Sequence, residues 1–332
     1  MVLPHVILTI SSKLVDNINF VGNAGGTMRK LVLFGMVGML AQLIDGALGM
    51  AYGLTSTTLL VAAGTAPAVA SATVHLAELG TTAVSGASHW RFGNVDWRTV
   101  RLMTFPGLLG AFLGAVVLSS LSGDVAKPWV AAILSVLGVY VLFRFLGRRP
   151  AGPRPRAGRP LPSGQLTPLG LGAGFLDADG GGGWGPVGTP TLLASGRMEP
   201  RKVIGSVDTG EFLVALGASL GFLVSLSWRQ VPVTLVCLLL AGGLVAAPLA
   251  AWLVKRMAPR KLGVIVGAAI LLTNARTLAS TFGLDGAWRT AMYLAIVAVV
   301  GAVAAWRLSQ SRQRRRAKAV AAAQRLPEPV GA

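Results

Sequence analysis

Two short stretches hold paired ionisable residues at helical spacing. "SATVHLAELG" (Ser71 to Gly80) sets His75 and Glu78 three apart, and "GSVDTGEF" (Gly205 to Phe212) does the same with Asp208 and Glu211. On a helix each pair occupies one face. Such groups could accept protons in ion coupling, or could bond backbone groups left free nearby. His75 on its own reads as a packing histidine, and its place beside Glu78 strengthens the functional reading. Three more carboxylates, Asp45, Asp177 and Asp179, border glycine-rich breaks, where hydrogen bonding to free N–H groups is the simplest role.

Those breaks are the second chemical feature. "DADGGGGWGPVGTP" (Asp177 to Pro190) contains four consecutive glycines, and "DGALGMAYG" (Asp45 to Gly53) is a weaker version of it. Glycine runs release backbone N–H and C=O groups, which survive at membrane depth only when protein buries them or a polar cavity receives them. The helix restarting near Trp184–Thr191 would aim N-terminal N–H groups into the gap, an arrangement that suits an anion. The expected anion cradle consists of Gly49, Tyr52 and Gly53 from the first break. Gly181, Gly182, Gly183, Trp184, Gly185 and Thr189 come from the second. The competing reading is that the glycines only let helices pack closely. A neutralising cation is expected from Arg276 in "LLTNARTL", as a bidentate clamp or as a residue snorkelling to an interface.

The elements that must hold these residues are membrane helices. Of 332 residues 53% are hydrophobic and 13% charged, and mean hydropathy is +0.65, too little charge for the surface of a soluble protein. Continuous apolar runs match the ~20 residues of a spanning helix and lack the alternation of a membrane barrel. The single cysteine, Cys237, excludes a disulfide framework. The net charge of +18 resides largely in loops and tail. Arg144–Pro160 carries six arginines without an acid, and Arg307–Lys318 carries five arginines and a lysine. The positive-inside rule explains both as cytoplasmic segments, so nucleic acid is not an expected partner.

Sliding the chain by 133 positions sets Thr58 on Thr191, Pro67 on Pro200, Val74 on Val207, Glu78 on Glu211 and Gly110 on Gly243. "IDGALGMAYGLTSTTLL" (Ile44 to Leu60) then corresponds to "ADGGGGWGPVGTPTLL". Each half reads as a broken stretch followed by three spans, near 68–88, 100–121 and 129–146, then 203–227, 231–254 and 262–282. A closing span lies near 289–307. The fold class is an all-α polytopic membrane protein of two inverted repeats, each with a re-entrant or discontinuous helix pair. Inversion leaves nearly every basic loop cytoplasmic, whereas parallel copies would export the C-terminal arginines. The boundaries expected are an appendage at 1–28, repeats at 29–147 and 163–283, an Arg/Pro linker at 148–162, a last span at 284–307 and a basic tail at 308–332. Arg154 and Arg316 are placed inside, and Asp124 and Asp285 outside.

"GMAYGLTSTTLL", "GGGGWGPVGTPTLL", "SATVHLAE", "HWRFGNVDW" and "IGSVDTGEF" together resemble segments of the TauE/SafE sulfite exporter family, over roughly residues 31 to 282. The resemblance implies an inner-membrane permease for small sulfur anions such as sulfite, thiosulfate or organosulfonates, coupled to an ion gradient. The first break departs from the family's glycine pattern, reading "DGALGMAYG". The expected partners are a small anion and the bilayer, with a homodimer as an option. No cofactor and no enzymatic activity are expected, since no G-x-x-x-x-G-K-[ST] or HExxH occurs. The alternative is an ion-coupled transporter of another solute or a cation, using the intramembrane carboxylates.

Overall fold

The computed structural model describes residues 24–48, 50–146, 161–195, 197–226, 230–254, 259–284 and parts of 286–313. The expected appendage up to 23, the linker from 148 to 160, and Gly49, Arg154, Asp285 and Arg316 lie outside the described residues. Ten helices are named within it: α1 (Ala24–Leu48), α2 (Tyr52–Ala62), α3 (Pro67–Arg91), α4 (Trp97–Ser120) and α5 (Gly123–Leu146). The others are α6 (Ser163–Gly180), α7 (Trp184–Ser195), α8 (Pro200–Ser225), α9 (Val233–Val254) and α10 (Pro259–Thr281). Residues 290–296 are also helical. Among the described residues all regular structure is helix.

Local sequence explains the boundaries. Pro67 and Pro200 open α3 and α8 at the first helical turn, where the missing N–H costs nothing and φ is already set. Asp96 caps α4 by accepting from Thr99 N at 2.7 Å, worth about 1 kcal/mol. α1 and α6 end at the two breaks, and the short helices α2 and α7 restart within four residues. α4, α5 and most of α8 are long and apolar enough to cross a membrane. Along α4, Phe105, Leu109, Leu113 and Val117 form an exposed stripe four residues apart, 58, 58, 52 and 39% exposed. His75, Glu78, Asp177 and Asp179 are buried instead. Apolar outside and ionisable inside is the distribution that lipid requires. The protein is an all-helical, multi-pass membrane protein.

The halves repeat one helix order: long, short, then three long. Their packing repeats as well. α6 lies along α4 as α1 lies along α9, and the counterparts α3 and α8, and α5 and α10, pack on each other. Both counterpart pairs run antiparallel. Gly138 meets Ile270 while Gly267 meets Leu142; Ser85 bonds Asp208 while Val95 bonds Lys202. α6 and α8 both run parallel to α4, in seams where glycines lie against backbone: Gly174 on Gly107, Gly114 on Phe175, Gly217 on Leu108.

One group of contacts fixes the α6–α7 hairpin. Arg98 Nη1 donates to Leu161 O at 2.7 Å, Thr99 Oγ1 to Met198 Sδ at 3.5 Å, and Lys202 Nζ to Val95 O at 3.1 Å. The chain therefore enters α6 and leaves α7 at one end of the bundle, beside the 92–98 turn.

Candidate functional site

At each break the free N–H groups of the restarting helix need acceptors. Asp177 Oδ1 accepts from Trp184 N at 2.9 Å, and Asp45 Oδ1 accepts from Tyr52 N at 3.2 Å. The carboxylate sits seven residues before the helix start in both cases. Asp45 is thus matched by Asp177, one residue before Ala178, on which the offset of 133 sets it. α7 has 12 residues and α2 has 11, so an offset that fits the short helices' ends misses their starts by one.

The first residue of each short helix is an aromatic bonded to a carbonyl. Trp184, wholly buried, donates Nε1–H to Val207 O at 2.8 Å, and Tyr52 donates its hydroxyl to Leu239 O at 3.2 Å. The breaks face each other. A Cβ on Gly53 would collide with the Gly181 carbonyl, one on Gly181 with the Thr57 hydroxyl, and one on Gly182 with the Leu54 backbone. Gly183 stands equally close to the Asp177 backbone, and Gly185 touches Met50. On their Cβ sides Gly53, Gly182 and Gly183 meet protein backbone, and Gly181 and Gly185 meet side chains first, a role that small residues fill where main chains cross. Thr189 is buried on α7.

α3 completes the second break. Ser71 Oγ donates to Ala178 O at 2.5 Å, and His75 Nε2 donates to Asp177 O at 3.2 Å, which also accepts from Gly181 N, so side chains one turn apart bond the last carbonyls of α6. A carbonyl only accepts, so His75 carries its hydrogen on Nε2. Its Nδ1 then faces Glu78 Oε2 at 3.0 Å and Asp177 Oδ2 at 3.9 Å. A close contact between that nitrogen and a carboxylate requires a proton between them, held by either partner. The imidazole stacks on Phe222 at 6.3 Å, which fixes its plane.

Asp208 accepts from Ser85 Oγ at 2.6 Å, and His89 Nε2 lies 3.8 Å from its Oδ2. Glu211 lies within electrostatic reach of Glu78, Asp45, Asp208 and Asp177. Five carboxylates from α1, α3, α6 and α8 thus share one polar interior. The charged groups acting on them are one another, His75 and His89; no Lys or Arg of the described residues is among them. Arg276 is exposed on α10. Its neighbour Asn274 is buried and donates to Thr58 Oγ1 at 3.2 Å. Asp179 is buried beside Trp129, and its carboxylate makes no well-formed hydrogen bond.

Sequence reasoning did not single out Ser71, Ser85, His89 or Asn274. Ser71 and Ser85 stand four before His75 and seven after Glu78 on α3, on the face already marked by the ionisable pair. That spacing was the available signal.

Comparison with known proteins gives the family. Residues 34–277 match the family model described as Sulfite exporter TauE/SafE. The chain is 55% identical over 273 residues to the "Probable membrane transporter protein YtnM" of Bacillus subtilis (strain 168), an alignment covering 82% of this chain and 90% of that protein. No solved structure matches. These matches are membrane transporters rather than enzymes.

Proposed function

The chain belongs to the TauE/SafE sulfite exporter family, and from that premise we propose a secondary-active permease of the cytoplasmic membrane that moves a small sulfur oxyanion together with protons. The observation that carries the proton part is the carboxylate cluster around His75. Two unit charges about 5 Å apart repel by roughly 3 kcal/mol at an effective dielectric of ~20. An anion entering among ionised Asp45, Glu78, Asp177, Asp208 and Glu211 would meet that cost several times over. Protonating the cluster removes it, so anion binding and proton binding are linked, and each strengthens the other. The sign follows: anion affinity rises as pH falls.

The substrate site is the polar interior between the two breaks, with Tyr52, Gly53, Gly181, Gly182, Gly183, Trp184, Gly185 and Thr189 forming and framing it, and Gly49 added from the sequence. His75, Glu78, Asp208 and Glu211 carry protons. Arg276, exposed on α10, acts on the anion's approach path. The architecture behind this is a pair of inverted repeats with re-entrant hairpins from opposite faces. Antiparallel packing of α3 on α8 and of α5 on α10 supports it, as does the return of α7 to the end where α6 starts. The basic 92–98 turn then lies at the cytoplasmic face.

A second reading has its own support. Because the cluster lacks Lys and Arg, a cationic solute could neutralise it directly. Thermal-shift titration of the purified protein separates the two. Sulfite, thiosulfate or a sulfonate should raise the unfolding temperature where chloride does not, and more at pH 6 than at pH 8. Stabilisation by cations alone would replace the anion reading with the cation one.

A further inference from the structure

The polar interior has a partly exposed end, at His89 and Asp208, that the transport reading leaves unused. α3 and α8 cross antiparallel, and their ionisable side chains alternate along the crossing. His89 lies on the last turn of α3 and Ser85 one turn before it. Asp208 of α8 accepts from Ser85 and faces His89 Nε2 at 3.8 Å. Asp208 and Glu211 share a face of α8, three residues apart. Glu211 acts on Glu78, and Glu78 meets His75 Nδ1 at 3.0 Å. The His89 and Asp208 side chains are 28% and 24% exposed, while those of His75 and Glu78 are 0% and 3% exposed. Exposure therefore falls along the series from the 92–98 turn inward. His89 Nδ1 is buried without a hydrogen-bond partner, as is Asp177 Oδ2. Buried polar atoms of this kind have a cost that a structural role does not explain.

We propose that His89 is the mouth of a proton path that runs His89, Asp208, Glu211, Glu78, His75 and opens at the end of the bundle formed by the 92–98 turn. This rests on the proton-coupled reading above and adds the route, its face and its gatekeeper. A proton from water binds one ring nitrogen of His89, and Nε2–H passes a proton to Asp208 Oδ2. Asp208 gives one to Glu211, and Glu211 to Glu78, which shares it with His75 Nδ1. Each group returns to its starting state as the next is charged, so one proton enters for each one delivered. The 3.8 Å gap at His89 is closed by a small rotation or a bridging water.

Other charges at the mouth are committed elsewhere. Arg98 donates to Leu161 O and Lys202 to Val95 O, while Asp96 caps α4. Arg91, on the last turn of α3, is the cation adjoining His89 in sequence. Deeper in, Asp45 of α1 and Asp177 of α6 face the path from the remaining helices.

The test uses the full-length protein in liposomes with a pH-sensitive dye inside. Two fluxes are measured: thiosulfate or sulfite uptake driven by an imposed pH gradient, and exchange of labelled for unlabelled anion at equal pH. His89→Gln should slow the driven flux and its accompanying proton signal at least about tenfold, leave exchange within about twofold, and be rescued by millimolar imidazole. Asp208→Asn should slow the driven flux and its proton signal by a similar factor, without imidazole rescue. A parent protein that moves anion with no proton signal would end the coupling reading and this proposal with it. A coupled parent with unaltered driven flux in both variants would overturn the path alone. Equal loss of both fluxes in monodisperse His89→Gln, with no imidazole rescue, would make His89 a structural residue and overturn the proposal too.

Discussion

The two helix breaks perform one task with different materials. At the second, α6 ends in Gly181 with φ of 65°, a left-handed conformation that glycine adopts freely. Asp177 caps α7, and Ser71 and His75 reach across to the last carbonyls of α6. At the first, the left-handed position is taken by Ala51, with φ of 101°, which costs about 1–2 kcal/mol for a residue with a Cβ. Repeat logic sets Ile204 and Asp208 of α8 where Ser71 and His75 stand on α3. Neither can donate to a carbonyl when Asp208 is ionised, so α8 offers the first break no counterpart of the Ser71 and His75 bonds. The larger apolar cluster contains Trp184, and Tyr52 belongs to the smaller one. The second break is the more extensively bonded joint, and the first carries the left-handed strain.

The largest effect that could break this comparison is at the contact between the joints. Gly53→Ala and Gly181→Ala each push a methyl into backbone or a hydroxyl across the interface, at a cost of about 3 kcal/mol or more. Neither should yield a stable folded protein by size-exclusion and thermal unfolding. Gly172→Ala, on α6 with nothing near its Cβ, should unfold at or slightly above the parental temperature. If Gly53→Ala behaves like Gly172→Ala, the joints do not touch.

A smaller effect separates the two caps. Asp177→Asn alters a buried cap, the Gly183 and Trp184 N–H bonds and the His75 contact together, and should cost about 2–3 kcal/mol. Asp45→Asn weakens one 3.2 Å bond at a less buried position, worth about 1 kcal/mol. Equal losses in the two variants would erase the distinction drawn here. The smallest change is expected from Ala51→Gly. Relief of left-handed strain outweighs the entropy that glycine adds to the unfolded chain, leaving a gain of up to about 1 kcal/mol. A lower unfolding temperature would mean that Ala51 is not strained.

Much of this was legible in the residues. The spans expected at 68–88 and 203–227 correspond to Pro67–Arg91 and Pro200–Ser225, because apolar length and N-terminal prolines are local signals. The pairs His75–Glu78 and Asp208–Glu211 were legible because helical spacing alone places them on one face. What glycines touch was not. A glycine's spacing says that something comes close, but backbone and ligand leave the same mark, and only the fold brings Leu54 against Gly182. Arg276 illustrates another limit. It interrupts an apolar run, yet two residues along a helix turn the side chain by about 200°. Asn274 points inward and Arg276 outward for that reason. The offset of 133 misses the match of Asp45 with Asp177 by one residue because α7 is longer than α2, an insertion that gap-free alignment cannot express.

The central claim is that the buried carboxylates couple anion movement to protons, and Glu211 tests it most directly because it acts on four other carboxylates. The measurement is thiosulfate or sulfite uptake into liposomes at equal pH and under an inward proton gradient, for the parent and for Glu211→Gln, with equilibrium binding measured alongside. The account predicts that the gradient accelerates the parent at least about fivefold, and that Glu211→Gln binds anion within about threefold of the parent while losing most of that acceleration. Gradient acceleration of Glu211→Gln equal to that of the parent would contradict it.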